Sequence, residues 1–221
     1  MHDPNTLSKA ATGSGSSHSN LLDTVAIEPW PTMDSRLVGD FRIFRIRSDL
    51  KINPRTRRLH DFYAVDCADW VNVLAITPTM ELVMVEQFRH GTNTIELEIP
   101  GGMLDPNEID PVAAGIRELR EETGYVGETG WLIGKIFPNA ALFSNRCFTL
   151  LVQGARLQHA VELDSGEDIA TRRVPLADLE TLMASGKIQH ALVAVALYHL
   201  NLWQRGLIPA EGIIHPESGL S

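Results

Sequence analysis

Cysteine is nearly missing: Cys67 and Cys147 are the only two in 221 residues. Two thiols cannot build a disulfide framework, and such sparse usage suits a reducing cytosol. No apolar run is long enough to span a bilayer and no secretory signal is evident, so a cytoplasmic protein is expected, with no membrane partner. Positive charge is short as well, with 19 Lys and Arg against 28 Asp and Glu and a net charge of -9. That balance argues against a nucleic-acid binder working through a broad basic surface. An anionic ligand must then be drawn in by local cations, whether arginine side chains or bound metal. The eight histidines are scattered without metal-ligand spacing, and only His90, beside Arg89, stands out. No internal repeat is present. What remains, 44% apolar and 21% charged residues, is ordinary for a globular domain with a good core and some appendages.

Residues 1–35 read as a flexible lead, Ser/Gly/Thr/Asn-rich over the first twenty, with little to bury. Residues 36–66 read as a β leader. FRIFRIRSDL from Phe41 alternates apolar and basic residues, an NPRT turn follows at Asn53, and LHDFYAVD forms the return strand of a hairpin. WVNVLAIT and ELVMVEQF, joined at Pro78-Thr79, are apolar enough to lie within a sheet. WLIGKIF, CFTLLVQGA and TRRVPL are further strands, and DLETLMASG begins a helix. IQHALVAVALYHLNLW is apolar nearly all round, which predicts a buried packing helix. Strands mixed with helices on both sides predict an α/β/α sandwich around a mixed sheet. The main domain spans 67–206 and a tail 207–221.

The stretch RELREETG, residues 117–124, concentrates the chemistry. At about 100° per residue, Val112, Ile116, Leu119 and Thr123 form one stripe of a helix. Glu118, Glu121 and Glu122 then crowd the far side at i, i+3 and i+4, with Arg117 four residues before Glu121. Like charges so placed repel by a few tenths of a kcal/mol. Hard divalent cations seek carboxylate oxygens and bridge them to phosphates, so the cluster reads as half of a metal site. Asp110 is the candidate N-cap, Pro111 suits the first helical position, and Gly124 closes the helix. Upstream, EIPGGMLDPNE makes a loop whose paired glycines let backbone approach a ligand.

GGMLDPNEIDPVAAGIRELREETGYV resembles the Nudix box, the signature of hydrolases of diphosphates linked to another moiety. That pattern is a Gly, five residues, a Glu, seven residues, then Arg-Glu-aliphatic-x-Glu-Glu-x-Gly-aliphatic. Gly102, Glu108, Arg117, Glu118, Leu119, Glu121, Glu122 and Gly124 match in type. Eight residues, not seven, separate Glu108 from Arg117, and Ile109 reads as the insertion. The likeness extends from about Arg36 to Gly206 and is similar to the ADP-ribose pyrophosphatase branch, in the leader, the QFR and E-x-P-G-G segments and a late S-G-K-I-x-x-A helix.

The resemblance implies a Nudix-type α/β/α fold with an N-terminal β-hairpin leader, in a homodimer whose leader strands exchange. It implies hydrolysis of a nucleotide sugar, ADP-ribose to AMP and ribose 5-phosphate, with Mg²⁺ or Mn²⁺. Glu118, Glu121, Glu122 and the Gly101 carbonyl would hold metal, with Glu121 and Arg117 also serving catalysis. Arg89 and Met103 would meet substrate. Glu98 is either a strand-end charge or a contact to ribose hydroxyls or water. Glu167 and Asp164, in ELDSGEDIATRRV, are the general-base candidates, each weighed against a plain exposed turn. Ser144, Asn145 and Arg146 depart from the usual small loop and bear on which nucleoside is accepted. Two alternatives stay open: a Nudix pyrophosphatase for another nucleotide, GDP-mannose or a damaged nucleoside triphosphate, and a non-catalytic ligand sensor. Sensors of that kind carry a DNA-binding segment or a broken box, and neither is found in this sequence.

Overall fold

The computed structural model describes residues 26–208 and the strand Glu211–Ile214; the lead at 1–20 and most of the 207–221 tail fall outside them. The chain opens with strands β1 Thr32–Asp40, β2 Phe44–Ile52 and β3 Leu59–Cys67, which form an antiparallel sheet of their own. The expected hairpin is β2–β3, closed at the Asn53 turn; β1 adds a third strand on the other edge of β2 and starts inside the stretch read as flexible lead. Its residues are almost all exposed, so no alternation of buried and solvent positions marks TMDSRLVGD as a strand.

Next come β4 Trp70–Ile76, β5 Glu81–Arg89, β6 Thr94–Glu98 and β7 Gly101–Met103, then helix α1 Pro111–Thr123. After it run β8 Tyr125–Val126, β9 Thr129–Ile136, β10 Cys147–Gln153, β11 Arg156–Leu157 and β12 Ile169–Pro175. A 3₁₀ turn at Leu176–Asp178 leads into α2 Leu179–Ala184, followed by α3 Ala191–Gln204 and β13 Glu211–Ile214. The central sheet runs β12-β5-β4-β10-β9-β13, and only the β4–β10 pair is parallel. β8 and β11 make a separate two-stranded pair.

Period-two alternation sorts the core into two layers. Val71, Val73 and Ala75 of β4 and Leu150 and Val152 of β10 pack with Val112, Ala114 and Leu119 of α1. Leu74 and Ile76, with Leu151, Leu82 and Met84, face α2 and α3 through Leu179, Val193, Ala196 and Leu200. One helix on one face and two on the other make the expected α/β/α sandwich. α3 departs from expectation in one respect: only Val193, Ala196 and Leu200 are buried and Tyr198 is exposed. An apolar circumference does not bury a helix that has the sheet on one side only. No helix among the described residues is long and apolar enough to cross a membrane.

A split in the sheet makes room for the site. β4 and β5 bond only at Ala75–Val83 and Ile76–Leu82, and then diverge. β6 takes over the freed edge of β5 from Val85 to Arg89, and β7 takes the freed edge of β4 from Trp70 to Asn72. The Ile99-Pro100 link bridges the split, with Val73 N–H donating to the Pro100 carbonyl at 2.8 Å.

Candidate active site

Helix α1 carries the acids, and local chemistry fixes both its ends. The Asp110 carboxylate caps Val112 N–H at 2.9 Å, Pro111 starts the helix, and Gly124 takes φ 73° while its N–H bonds the Arg120 carbonyl. Leu119 and Val112 anchor the apolar stripe in the core, which turns Glu118 and Glu122 toward β7 in the split.

Glu122 is 3% exposed, and its Oε2 accepts the Gly101 N–H at 2.9 Å. Burial, with the nearby Glu118 and Glu167 charges, pushes its carboxyl up to about 8, against the pull of the Gly101 hydrogen bond and Arg89. Glu118 lies against Gly102, where a side chain would meet its carboxylate: a Cβ there would stand 2.3 Å from Oε1. Burial also raises Glu118, to about 7, with smaller pushes from Glu121 and Glu167 and against the pull of Arg117.

Arg117 organises the remaining acids. Its Nη1 pairs with Glu121 at 2.9 Å and Glu118 at 3.1 Å, while Nε and Nη2 fork onto Glu108 at 3.2 and 3.0 Å. The Glu108 hydrogen bonds lead the causes that raise its pKa, and the same bonds hold the Glu108 carboxyl below its usual value. The extra residue does not displace Glu108, because Ile109 bulges out 94% exposed ahead of the Asp110 cap.

Arg89, at the end of β5, forks onto Glu98 through Nε and Nη2 at 2.7 and 2.8 Å. Glu98 is 2% exposed, so it is a buried partner of Arg89 and not a free strand-end charge. Arg89 lines a cavity of about 1100 Å³ with Trp70, Phe88, His90, Glu96 and Glu167. His90 sits edge-on to Phe88, 5.1 Å between ring centroids.

The general-base candidates separate here. Backbone bonds from His159 to Gly124 and from Glu162 to Glu121 tack residues 158–162 onto the end of α1. The chain then turns at Asp164–Glu167, where Glu167 N–H bonds the Asp164 carbonyl at 2.9 Å and Glu167 Oε2 accepts the Asp164 N–H at 3.0 Å. Glu167 lines the cavity and bears on Glu118 and Glu122, whereas Asp164 is not among the lining residues. Met103 pairs with Trp70 across β7 and β4 and is exposed, also outside the cavity lining. Ser144, Asn145 and Arg146 are tied to Asp66, the Ala68 carbonyl and Asp69 at the β3–β4 junction, away from the cavity walls. Trp70 lines the cavity and Asn72 accepts its indole N–H; neither carries a motif, and an indole and a carboxamide in an otherwise aliphatic strand were the only signs.

The donor set suits a divalent cation: the buried Glu122 carboxyl and the half-buried Glu118 carboxyl, both raised, a third acid at i+3 from Glu118, and a glycine backbone beside them. As the side chains stand, Glu118 and Glu121 turn to Arg117, and among the described residues no three His, Cys, Asp or Glu groups converge as a ready ligand cluster.

Residues 69–193 match the NUDIX domain family. The ADP-ribose pyrophosphatase of Bacillus subtilis (strain 168) is 32% identical over 133 residues, covering 60% of this chain and 71% of that protein. The ADP compounds hydrolase NudE of Escherichia coli (strain K12) is 26% identical over 170 residues, 76% of this chain and 90% of that one. A solved structure of an ADP compounds hydrolase superposes with a TM-score of 0.72 at 21% identity, over 82% of this chain and 97% of its own, which speaks for a shared fold. With the glycine pair, the Glu108–Arg117 fork and the three helix acids in place, the match over the domain leaves one conclusion: this chain belongs to the Nudix hydrolase family.

Proposed function

We propose that this protein hydrolyses the diphosphate of ADP-ribose, releasing AMP and ribose 5-phosphate, with Mg²⁺ or Mn²⁺ as cofactor. The observation that carries the reading is a pair of raised carboxyls, buried Glu122 and half-buried Glu118, set against the Gly101-Gly102 backbone beside a cavity lined by Arg89 and Glu167. The names of the Bacillus and Escherichia relatives support an ADP compound as the substrate.

Glu118, Glu121, Glu122 and the Gly101 carbonyl would hold the metal. A divalent ion held by these groups would neutralise diphosphate charge and lower the pKa of a bound water. Arg117 holds Glu118 and Glu121 in place through its fork to Glu108. Arg89, locked by Glu98, offers its remaining nitrogen to a phosphate oxygen. Glu167 takes the proton of the water that attacks phosphorus as the bridging P–O bond breaks.

The functional unit is a homodimer in the cytoplasm, with 36–66 as leader and 67–206 as hydrolase domain. Leu37, Val38, Phe41, Ile43, Phe62 and Tyr63 are each exposed on the leader, and so many large apolar side chains left to solvent on one small sheet support a subunit contact. Free Cys67 and Cys147 support a reducing compartment. A panel of ADP-ribose, other ADP compounds, GDP-mannose and nucleoside triphosphates with Mg²⁺ tests the substrate. ADP-ribose should give the highest kcat/KM, and preference for GDP-mannose or a triphosphate would overturn the choice.

A further inference from the structure

Trp70 and Asn72 stand two residues apart on β4 and so share a face. The Trp70 indole N–H donates to Asn72 Oδ1 at 2.7 Å. Asn72 is 4% exposed, and its Nδ2 has no partner among the described residues. A buried carboxamide with half its hydrogen bonding unmet is a liability for the fold, so the work done by its oxygen calls for a reason. The Arg89 guanidinium supplies one: its Cζ lies over the Trp70 ring, 5.9 Å from the centroid. Its edge is already fixed by Glu98 through Nε and Nη2, and Nη1 is the nitrogen left without a protein acceptor among the described residues. Trp70 and Arg89 both line the large cavity, which Glu167 borders as well.

We propose that Trp70 and Asn72 are positioning residues that aim Arg89 at the substrate's phosphate, Asn72 by setting the indole and Trp70 by setting the guanidinium plane. This rests on the diphosphate-hydrolase reading above. Two constraints act on one group: Glu98 holds the fork through Nε and Nη2, and the Trp70 ring lies under Cζ. A cation held over an indole gains attraction from the ring quadrupole, and Arg gains further from stacking. The indole would otherwise be free to rotate, because Asn72 Oδ1 is the sole acceptor of its N–H among the described residues.

The test is steady-state kinetics with ADP-ribose at saturating Mg²⁺ on Trp70→Leu, Trp70→Phe, Asn72→Ala, Arg89→Gln and the Trp70→Leu/Arg89→Gln double variant. Trp70→Leu should raise KM roughly three- to thirtyfold, the range of a cation–π contact. Its kcat should stay within about twofold, since the contact aids binding in ground and transition states alike. Trp70→Phe and Asn72→Ala, which keep a ring but lose its tether, should give smaller rises in KM. In the Arg89→Gln background, Trp70→Leu should change KM by less than about twofold, because residues acting through one another are not additive. Equal effects in both backgrounds would overturn the proposal. So would a loss confined to kcat. Trp70→Phe keeps the test alive if the leucine variant does not fold. A wild type that cleaves ADP-ribose while Trp70→Leu and Trp70→Phe leave KM unchanged sinks the positioning role alone. A wild type inert on every nucleoside diphosphate sinks both readings.

Discussion

Glu122→Gln should make the metal-free protein more stable at high pH while lowering its activity with Mg²⁺ by about a hundredfold or more. The Glu122 carboxyl, ordinarily near 4.5, is pushed up to about 8 by burial first and then by Glu118 and Glu167. Between those two values the unfolded chain has ionised this acid while the folded chain retains its proton. The folded state therefore binds more protons, and stability falls as pH rises from about 4.5 to about 8. Glu118, raised to about 7, adds to the fall over the lower part of the same window. At full strength, the Glu122 shift corresponds to roughly 5 kcal/mol. Water entry and relaxation at the site reduce that to a few kcal/mol. Glutamine removes the charge and its Oε1 still accepts the Gly101 N–H, but its amide nitrogen needs an acceptor, which costs about 1–3 kcal/mol. The variant should therefore lie about 1–3 kcal/mol below wild type at pH 5, and at pH 9 in EDTA rise above it by about 1–2 kcal/mol. Urea unfolding at the two pH values reads the difference. A variant less stable than wild type at pH 9, or equally affected at both pH values, would refute the charge-starved site.

Arg89→Ala leaves the Glu98 carboxylate buried without its two donors, which should cost about 3 kcal/mol or more. The midpoint of thermal unfolding should fall by about 6–12 °C, and adding Glu98→Leu should restore most of it. Glu108→Ala frees one side of the Arg117 fork and should weaken Mg²⁺ activation about 10–100-fold, read from a metal titration of activity. Glu167→Gln should lower kcat by about 10²–10⁴, whereas Asp164→Asn should leave it unchanged. Ile109→Ser should leave unfolding free energy within about 0.5 kcal/mol and activity intact, since the side chain faces solvent.

What was legible in the sequence was local. α1 announces itself through Asp110, Pro111 and Gly124, whose capping depends only on near neighbours, and its three acids fall on one side by helical period alone. β4, β5 and β10 are apolar runs long enough to read directly. β1 was hidden because it buries almost nothing, and β6 and β7 because they are short and exist to fill a split that only tertiary pairing creates. The Arg89–Glu98 fork spans the β5–β6 hairpin, so no helical or strand period points to it. Glu108 kept its place despite a shifted spacing because loop residues can bulge where a helix cannot, and the chain spends the extra residue at Ile109. Trp70 and Asn72 became visible only when the indole, the carboxamide and Arg89 were seen in contact.

The most direct measurement is product analysis of ADP-ribose incubated with wild type and Glu122→Gln, with Mg²⁺ and with EDTA, resolved by ion-exchange chromatography. Wild type with Mg²⁺ should yield AMP and ribose 5-phosphate in equal amounts, EDTA should stop the reaction, and Glu122→Gln should be slower by about a hundredfold or more, as expected on losing transition-state charge stabilisation of this kind. Equal rates in the two proteins, or no AMP from wild type with Mg²⁺ or Mn²⁺, would contradict the account.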